Sequence, residues 1–189
     1  NEIFPLDVPI LYVSKEVLKK LSSMDSPSKV MAVVYKKKEI KKYGEKILIL
    51  DRIQDPGNLG TIIRSSAALG IDAIIVSLDT VDEYNDKVLR ATQGAIFKIP
   101  IFRMNISEAI AKLKKDDTKI IVTSLQNSSD LKTIQKPKKF GIVLGNEAKG
   151  VHSEYLKLAD EIVRIEMQND VESLNVAMSA GIIIYYLLN

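Results

Sequence analysis

Short, nearly continuous apolar runs recur along this chain and alternate with stretches of helical periodicity. The runs KILIL (46–50), DAIIVS (72–77), AIFKIP (95–100), KIIVTS (119–124), FGIVLG (140–145) and EIVRIE (161–166) are brief and β-branched, the pattern of strands buried on both faces. The intervening periodicity predicts helices over 58–69, about 85–92, 107–115, 151–158 and 173–188. Such alternation predicts an α/β domain built on a mostly parallel sheet.

In a parallel sheet, ligands bind beyond the carboxyl ends of the strands, where strand-to-helix loops gather. Three such loops stand out: DRIQDPGN, GNEAKG and EMQNDVES. Each follows a predicted strand and carries Asn and acidic residues, with Gly in the first two. The first 45 residues differ in character. PILYVSKEVLKKLSS and KVMAVV read as strand, helix and strand, followed by a lysine-rich connector containing Lys36, Lys37, Lys38, Lys41, Lys42 and Lys46. That run is either a solvated linker or a phosphate-contacting patch.

Composition narrows the function classes. At 189 residues, 46% hydrophobic and 27% charged, the chain reads as about one globular domain with a small appendage. The net charge of +3 permits a polyanionic partner without demanding one. The absence of cysteine excludes disulfides, thiolate metal sites and cysteine nucleophiles, and fits a reducing cytoplasm. The longest apolar run, Val176 to Leu188, is too short to span a bilayer. The first residues carry no signal-peptide pattern, and the start at Asn1 rather than Met suggests further residues upstream.

The first loop leads into a helix on which Asn58 is placed as N-cap ahead of Leu59, with Pro56 and Gly57 forming a turn. Leu59, Ile62, Ile63 and Ala67 then form the buried stripe, and Thr61, Arg64 and Ala68 lie on another face. Arg64 is either a solvated surface residue or a guanidinium that holds a phosphate or a developing oxyanion. The second loop, Gly145 to Gly150, is glycine-flanked like a phosphate loop but ends in Val151 and His152 rather than Lys-Ser/Thr, which argues against NTP hydrolysis. Glu147 suits the start of a helix with or without a function. His152, the only histidine, is expected at the surface or as a cap rather than as a metal ligand or triad member. In the third loop Ser173 is placed as N-cap. The helix that follows is apolar on nearly every face, so part of its burial is expected from a second copy of the chain.

Three segments taken in order, DRIQDPGNLGTIIRSSAALGIDAII, GIVLGNEAKGV and IVRIEMQNDVESLNVAMSAGIIIYYLL, resemble the three motifs of the SpoU (TrmH) family of RNA ribose methyltransferases, within the SPOUT class. The resemblance spans residues 46 to 189. It implies an α/β fold with a deep C-terminal trefoil knot, an obligate homodimer, and S-adenosylmethionine bound in the knot. It places the family's functional side chains at Asn58, Arg64, Glu147, Ser173 and Asn175. It also implies a cofactor cradle made by backbone around Ser124, Leu125, Leu144, Gly145, Ile165, Met167 and Leu174. Two positions depart from the family pattern: Glu166 stands where proline is common and Asn169 where glycine is common. Residues 1 to 43 resemble the trailing half of a small ribosomal-protein-like domain, which leaves 44 to 189 as the catalytic domain.

The implied reaction is transfer of a methyl group to a ribose 2′-hydroxyl of structured RNA, large-subunit rRNA before tRNA, with no metal and no membrane, in the cytoplasm. Because arginine holds its proton in proteins, Arg64 is expected to stabilise the emerging alkoxide rather than to act as a base. Asn58 would orient Arg64 or the ribose, and Glu147 and Asn175 would fix the loops. Two other classes stand beside this one: a knotted RNA-binding protein with little turnover, and a nucleotide-binding protein of another doubly wound class, which lacks a GxGxxG or Walker sequence here.

Overall fold

The structure, a computed structural model, describes residues 8–22, 24, 26, 28–36, 42–168 and 173–189. The chain divides into two compact units, Asn1–Lys36 and Lys37–Asn189. In the first, the described residues form a single helix, α1 (Lys15–Leu21), capped by the Ser14 hydroxyl, which accepts from the Val17 amide at 3.4 Å. The strands expected on either side of it are not formed among the described residues. An extended segment becomes a strand only when a neighbour completes its hydrogen-bond ladder, and among the described residues none of these segments has one. Lys37, Lys38 and Lys41 of the lysine-rich connector lie outside the described residues.

In the second unit the chain runs β1 (Lys46–Leu50), α2 (Pro56–Leu69), β2 (Ala73–Val76), α3 (Asp86–Thr92), β3 (Ile101–Arg103), α4 (Ile106–Lys115), β4 (Lys119–Thr123), β5 (Ser129–Asp130), β6 (Phe140–Leu144), α5 (Ser153–Lys157), β7 (Glu161–Arg164) and α6 (Val176–Leu188). The strands form one sheet in the order β3-β2-β1-β6-β4-β7-β5, and every pairing is parallel. In register, Leu48 stands between Ile74 and Ile142 at the centre.

The period of two along each strand divides the core into two layers. Leu48, Leu50, Ile74, Val76, Ile142 and Leu144 face α2 and α6, meeting Leu59, Ile62, Ile63, Ala180, Ile183, Ile184 and Leu187. Ile47, Ile49, Ile75, Ile120, Val122 and Val143 face α4 through Ile106, Ala109, Ile110 and Leu113. Truncating any one of these fully buried isoleucines or leucines to alanine costs about 2–5 kcal/mol.

Three local expectations are corrected. The segment 95–100 is not a strand: Gln93 and Gly94 adopt φ of 49° and 82°, a left-handed turn, and Ala95–Phe97 coil into a 3-10 turn before β3 begins at Ile101. Asn58 does not cap α2. The carboxylate of Asp55 accepts from the Asn58 amide at 2.7 Å, and the helix starts at Pro56, where a missing N–H costs nothing. Ser173 does not cap α6 either; Asn175 does, its side-chain oxygen accepting from Ala177 and Met178 at 2.9 and 3.3 Å. His152 is a cap as expected, at the start of α5.

Candidate active site

The carboxyl ends of β1, β6, β4 and β7 lie side by side, which gathers all three unusual loops at one edge of the sheet. The loop after β1 is organised by Asp51, which is only 1% exposed. Its carboxylate receives Nε and Nη2 of Arg52, each at 2.9 Å, and the backbone N–H of His152, also at 2.9 Å. A buried carboxylate needs such partners. The bond to Asp51 raises the pKa of Arg52 above the ordinary arginine value. Arg52 sits at φ 55°, its N–H held by the Ser77 hydroxyl at 2.9 Å.

The loop after β6 is closed on itself. Asn146 and Gly150 exchange backbone bonds of 3.1 and 2.9 Å, and the Asn146 side chain accepts from Ala148 and Lys149 at 3.0 Å each. Only glycine fits at Gly145, where a Cβ would lie 2.2 Å from the Gly150 carbonyl carbon. The closed loop docks on the first one: Asn146 Nδ2 donates to the Arg52 carbonyl at 2.8 Å, and Arg52 Nη2 to the Gly150 carbonyl at 3.3 Å.

Docking aims Glu147 at the start of α2. Its carboxylate accepts from Asn58 Nδ2 at 3.1 Å and from the backbone amides of Asp55 and Gln54 at 3.4 and 3.5 Å. Because an ionised carboxylate only accepts, it directs the NH2 of Asn58 toward itself and leaves the Asn58 oxygen facing the other way. There that oxygen accepts from Asn175 Nδ2 at 2.9 Å. Glu147, Asn58 and Asn175, one from each of the three motif segments, thus form a single hydrogen-bonded chain.

The remaining two side chains singled out in the sequence stay apart from it. Arg64 lies on α2 more than one turn beyond Asn58, exposed, with no hydrogen bond or ion pair among the described residues. Ser173 is likewise exposed and unpartnered among them. Between α2 and α6 runs a groove of about 1120 Å³ lined by Asn58, Thr61, Ser65, Asn175, Met178 and Tyr185, among others, and Arg64 is not part of its lining.

The segments expected to cradle a cofactor are neighbours. Ser124 follows β4 and donates its N–H to the Val163 carbonyl of β7 at 3.0 Å; Leu144 and Gly145 end β6; Ile165 and Met167 follow β7. Leu144 is buried, Ile165, Met167 and Leu174 are half-buried, and Leu125 is exposed at the rim. The Glu166 carboxylate is paired with Lys132 at 3.8 Å. Asn169 lies outside the described residues. Among the described residues there is no metal-binding cluster of His, Cys, Asp and Glu, and no helix long and apolar enough to cross a membrane.

Sequence reading missed Asp51, Arg52, Gln54 and Asn146, which hold the loops together. The available signal was a carboxylate placed directly after an apolar strand, where it must be buried and must therefore be paired.

The profile of the SpoU rRNA methylase family matches residues 45–185. The chain is 35% identical over 175 residues to the 23S rRNA (guanosine(2553)-2′-O)-methyltransferase RlmP of Bacillus subtilis, covering 93% of this chain and 71% of that one. It is also similar to an rRNA methyltransferase from Sinorhizobium meliloti, with a TM-score of 0.84 and 31% identity over 92% of this chain and 69% of the other. An AdoMet-bound rRNA methyltransferase from Sinorhizobium meliloti matches with a TM-score of 0.72 and 36% identity, over 77% of this chain. This chain spans 56% of the length of that last protein.

Proposed function

The chain belongs to the SpoU rRNA methylase family, and from that premise we propose that it transfers a methyl group from S-adenosylmethionine to a ribose 2′-hydroxyl in large-subunit rRNA. The observation that carries this reading is the hydrogen-bonded chain Glu147–Asn58–Asn175, which joins the three motif segments at the carboxyl edge of a parallel sheet. The names of its relatives, rRNA guanosine 2′-O-methyltransferases in Bacillus subtilis and Xylella fastidiosa, favour rRNA over tRNA.

S-adenosylmethionine fits the residues present. Half-buried Ile165, Met167 and Leu174 with buried Leu144 supply an apolar floor for a base, and the loop backbone after β4 and β6 supplies polar groups at its margin. Glu166 is engaged by Lys132, so its carboxylate has a partner other than the cofactor. Bound there, the cofactor would supply an electrophilic methyl group for in-line displacement. The protein then has to hold the hydroxyl in line and stabilise the charge it develops. Arg64 supplies a permanent cation near the loops for that charge, one that no described residue neutralises, while Asn58, Glu147 and Asn175 fix the loops on which the geometry depends. The hydroxyl proton leaves to water or an RNA phosphate, because a guanidinium has no free lone pair to accept it.

Two finer features of the fold belong to the same proposal. Strand β6 lies between β1 and β4, and β7 between β4 and β5, so the late strands insert among earlier ones; this order, together with the family, supports the trefoil knot over residues 44–189. Met178, Ile182 and Tyr185 are exposed along one side of α6, which supports a homodimer through that helix. Residues 1–43 would serve RNA recognition, and the enzyme would act in the cytoplasm.

Mapping 2′-O-methyl sites in cellular RNA with and without the protein tests the reading. A methyl group lost from 23S rRNA supports it, and one lost only from tRNA moves the substrate class. Calorimetry with S-adenosylmethionine separates an enzyme from a binding protein without turnover, and absence of binding would overturn the proposal.

A further inference from the structure

Arg103 ends β3, at the edge of the sheet, and belongs to none of the three motif segments. Its guanidinium nevertheless donates in several directions at once. Nη1 donates to the carbonyls of Ser77, Leu78 and Thr80 at 3.1, 3.1 and 2.7 Å. Nη2 donates to the Val81 carbonyl at 2.9 Å and to Glu83 Oε2 at 2.5 Å, and Nε reaches the same carboxylate oxygen at 3.2 Å. The connection after β2 is therefore wrapped around one planar cation, whose five N–H groups have a fixed fork geometry.

That connection supports the catalytic loop. The Ser77 N–H donates to the Leu50 carbonyl at 2.9 Å, the Arg52 N–H to the Ser77 hydroxyl at 2.9 Å, and the Val81 N–H to the Ile53 carbonyl at 2.9 Å. The Gln54 side chain donates to the Asp79 carbonyl at 2.6 Å. Gln54 and Asp55 then present their backbone amides to Glu147. From this path we infer that Arg103 is a positioning residue for methyl transfer: its guanidinium sets the 77–81 backbone, which fixes Arg52 and Gln54 and thereby the Glu147–Asn58 contact.

Arg103 touches none of these site groups itself, so its effect must travel through the loop. Its removal need not unfold the protein. The side chain is 27% exposed, and the two buried clusters built on β1, β4 and β6 do not include it. The inference rests on the methyltransferase reading for its consequence but not for its structural arm.

The test compares Arg103→Met and Arg103→Lys with the unaltered chain, first by amide hydrogen exchange without cofactor or RNA. In the Met variant, exchange at Gln54 and Asp55 should rise about tenfold while amides in α6 stay near their original rates. Single-turnover methyl transfer should fall about tenfold with little change in Kd for S-adenosylmethionine, and lysine, which restores charge but not the fork, should recover part of the loss. A uniform rise across all amides, or unchanged exchange at Gln54 and Asp55, would overturn the inference. If the Met variant does not fold, the Lys variant is measured in a Gln54→Ala background. There it should add nothing further to exchange at Asp55, and an additive effect would refute the path. Should the unaltered protein fail to transfer methyl at all, the proposed function falls, and the exchange arm still decides the role of Arg103.

Discussion

The side-chain amide of Asn58 donates to the carboxylate of Glu147 at 3.1 Å, across 89 residues of sequence. The contact has a direction, NH2 to carboxylate, and that direction can be reversed. Asn58→Asp alone sets two carboxylates against each other and should lower Tm at neutral pH. Adding Glu147→Gln restores a donor facing an acceptor. The NH2 of the introduced glutamine donates to the introduced aspartate, the glutamine oxygen keeps the backbone amides, and the aspartate still accepts from Asn175. Thermal denaturation should show the double variant more stable than Asn58→Asp, by about 1.5 kcal/mol, the low end for a hydrogen bond to a charged group. A double variant no more stable than the single one would show that the pair does not interact in solution.

Most strands and helices of the sheet domain were legible because their apolar periodicity is continuous and local, whereas the order of the strands across the sheet is set by non-local pairing. The convergence of Asn58, Glu147 and Asn175 was legible only through the motif resemblance, since nothing in the periodicity brings residues 58, 147 and 175 together. The caps were misplaced for a physical reason. Asp55 and Asn58 are both good caps, and choosing between them needs to know that Asn175 already occupies the Asn58 side-chain oxygen, the atom a cap would use. Asp51 carried a local signal, its place directly after an apolar strand, but its partner His152 lies 101 positions away. The role of Arg103 was not legible, because no local pattern of residue types encodes a carbonyl 22 to 26 positions away.

Asp160 ties the opposite edge of the sheet. Burial alone would raise its pKa, but the bond from Lys114 and the backbone N–H of Ile120 outweigh that, and the value is lowered. A carboxylate whose folded pKa lies below its unfolded one contributes stability above the unfolded value and loses it as pH falls through the folded one. Asp160→Asn should therefore lower Tm at pH ~7, and the gap between variant and parent should close on acidification below the ordinary aspartate range, about 3.9. Melting curves taken down a pH series provide the check. A gap that stays constant to the acid limit would mean the side chain's contribution is not electrostatic.

Along α6, Met178, Ile182 and Tyr185 expose 59%, 38% and 61% of their surface. If this stripe joins two copies, light scattering of the purified protein at micromolar concentration should give twice the chain mass of 21.1 kDa. Ile182→Asp should shift the mass toward the monomer by burying an unpaired charge at the contact. A parent protein that scatters as a monomer at that concentration excludes the dimer.

Arg64 carries the sharpest prediction, because its proposed role depends on a charge that it never gives up. Arg64→Ala should keep the fold and the affinity for S-adenosylmethionine, since Arg64 holds no other described residue, yet lose methyl transfer by about a hundredfold, the scale of one lost oxyanion donor. Arg64→Lys then separates two mechanisms. If a neutral side chain at this position takes the proton, lysine, with a reference pKa of about 10.4, is easier to deprotonate than arginine, and its activity should climb with pH. If the planar guanidinium holds the alkoxide and a phosphate together, a point charge cannot reproduce the fork, and lysine should fail at every pH. The second outcome is expected. Single-turnover rates from pH ~7 to ~10 cover the span over which lysine begins to lose its proton. A lysine variant whose rate rises toward that of the parent across this span would assign Arg64 to proton transfer instead of charge stabilisation.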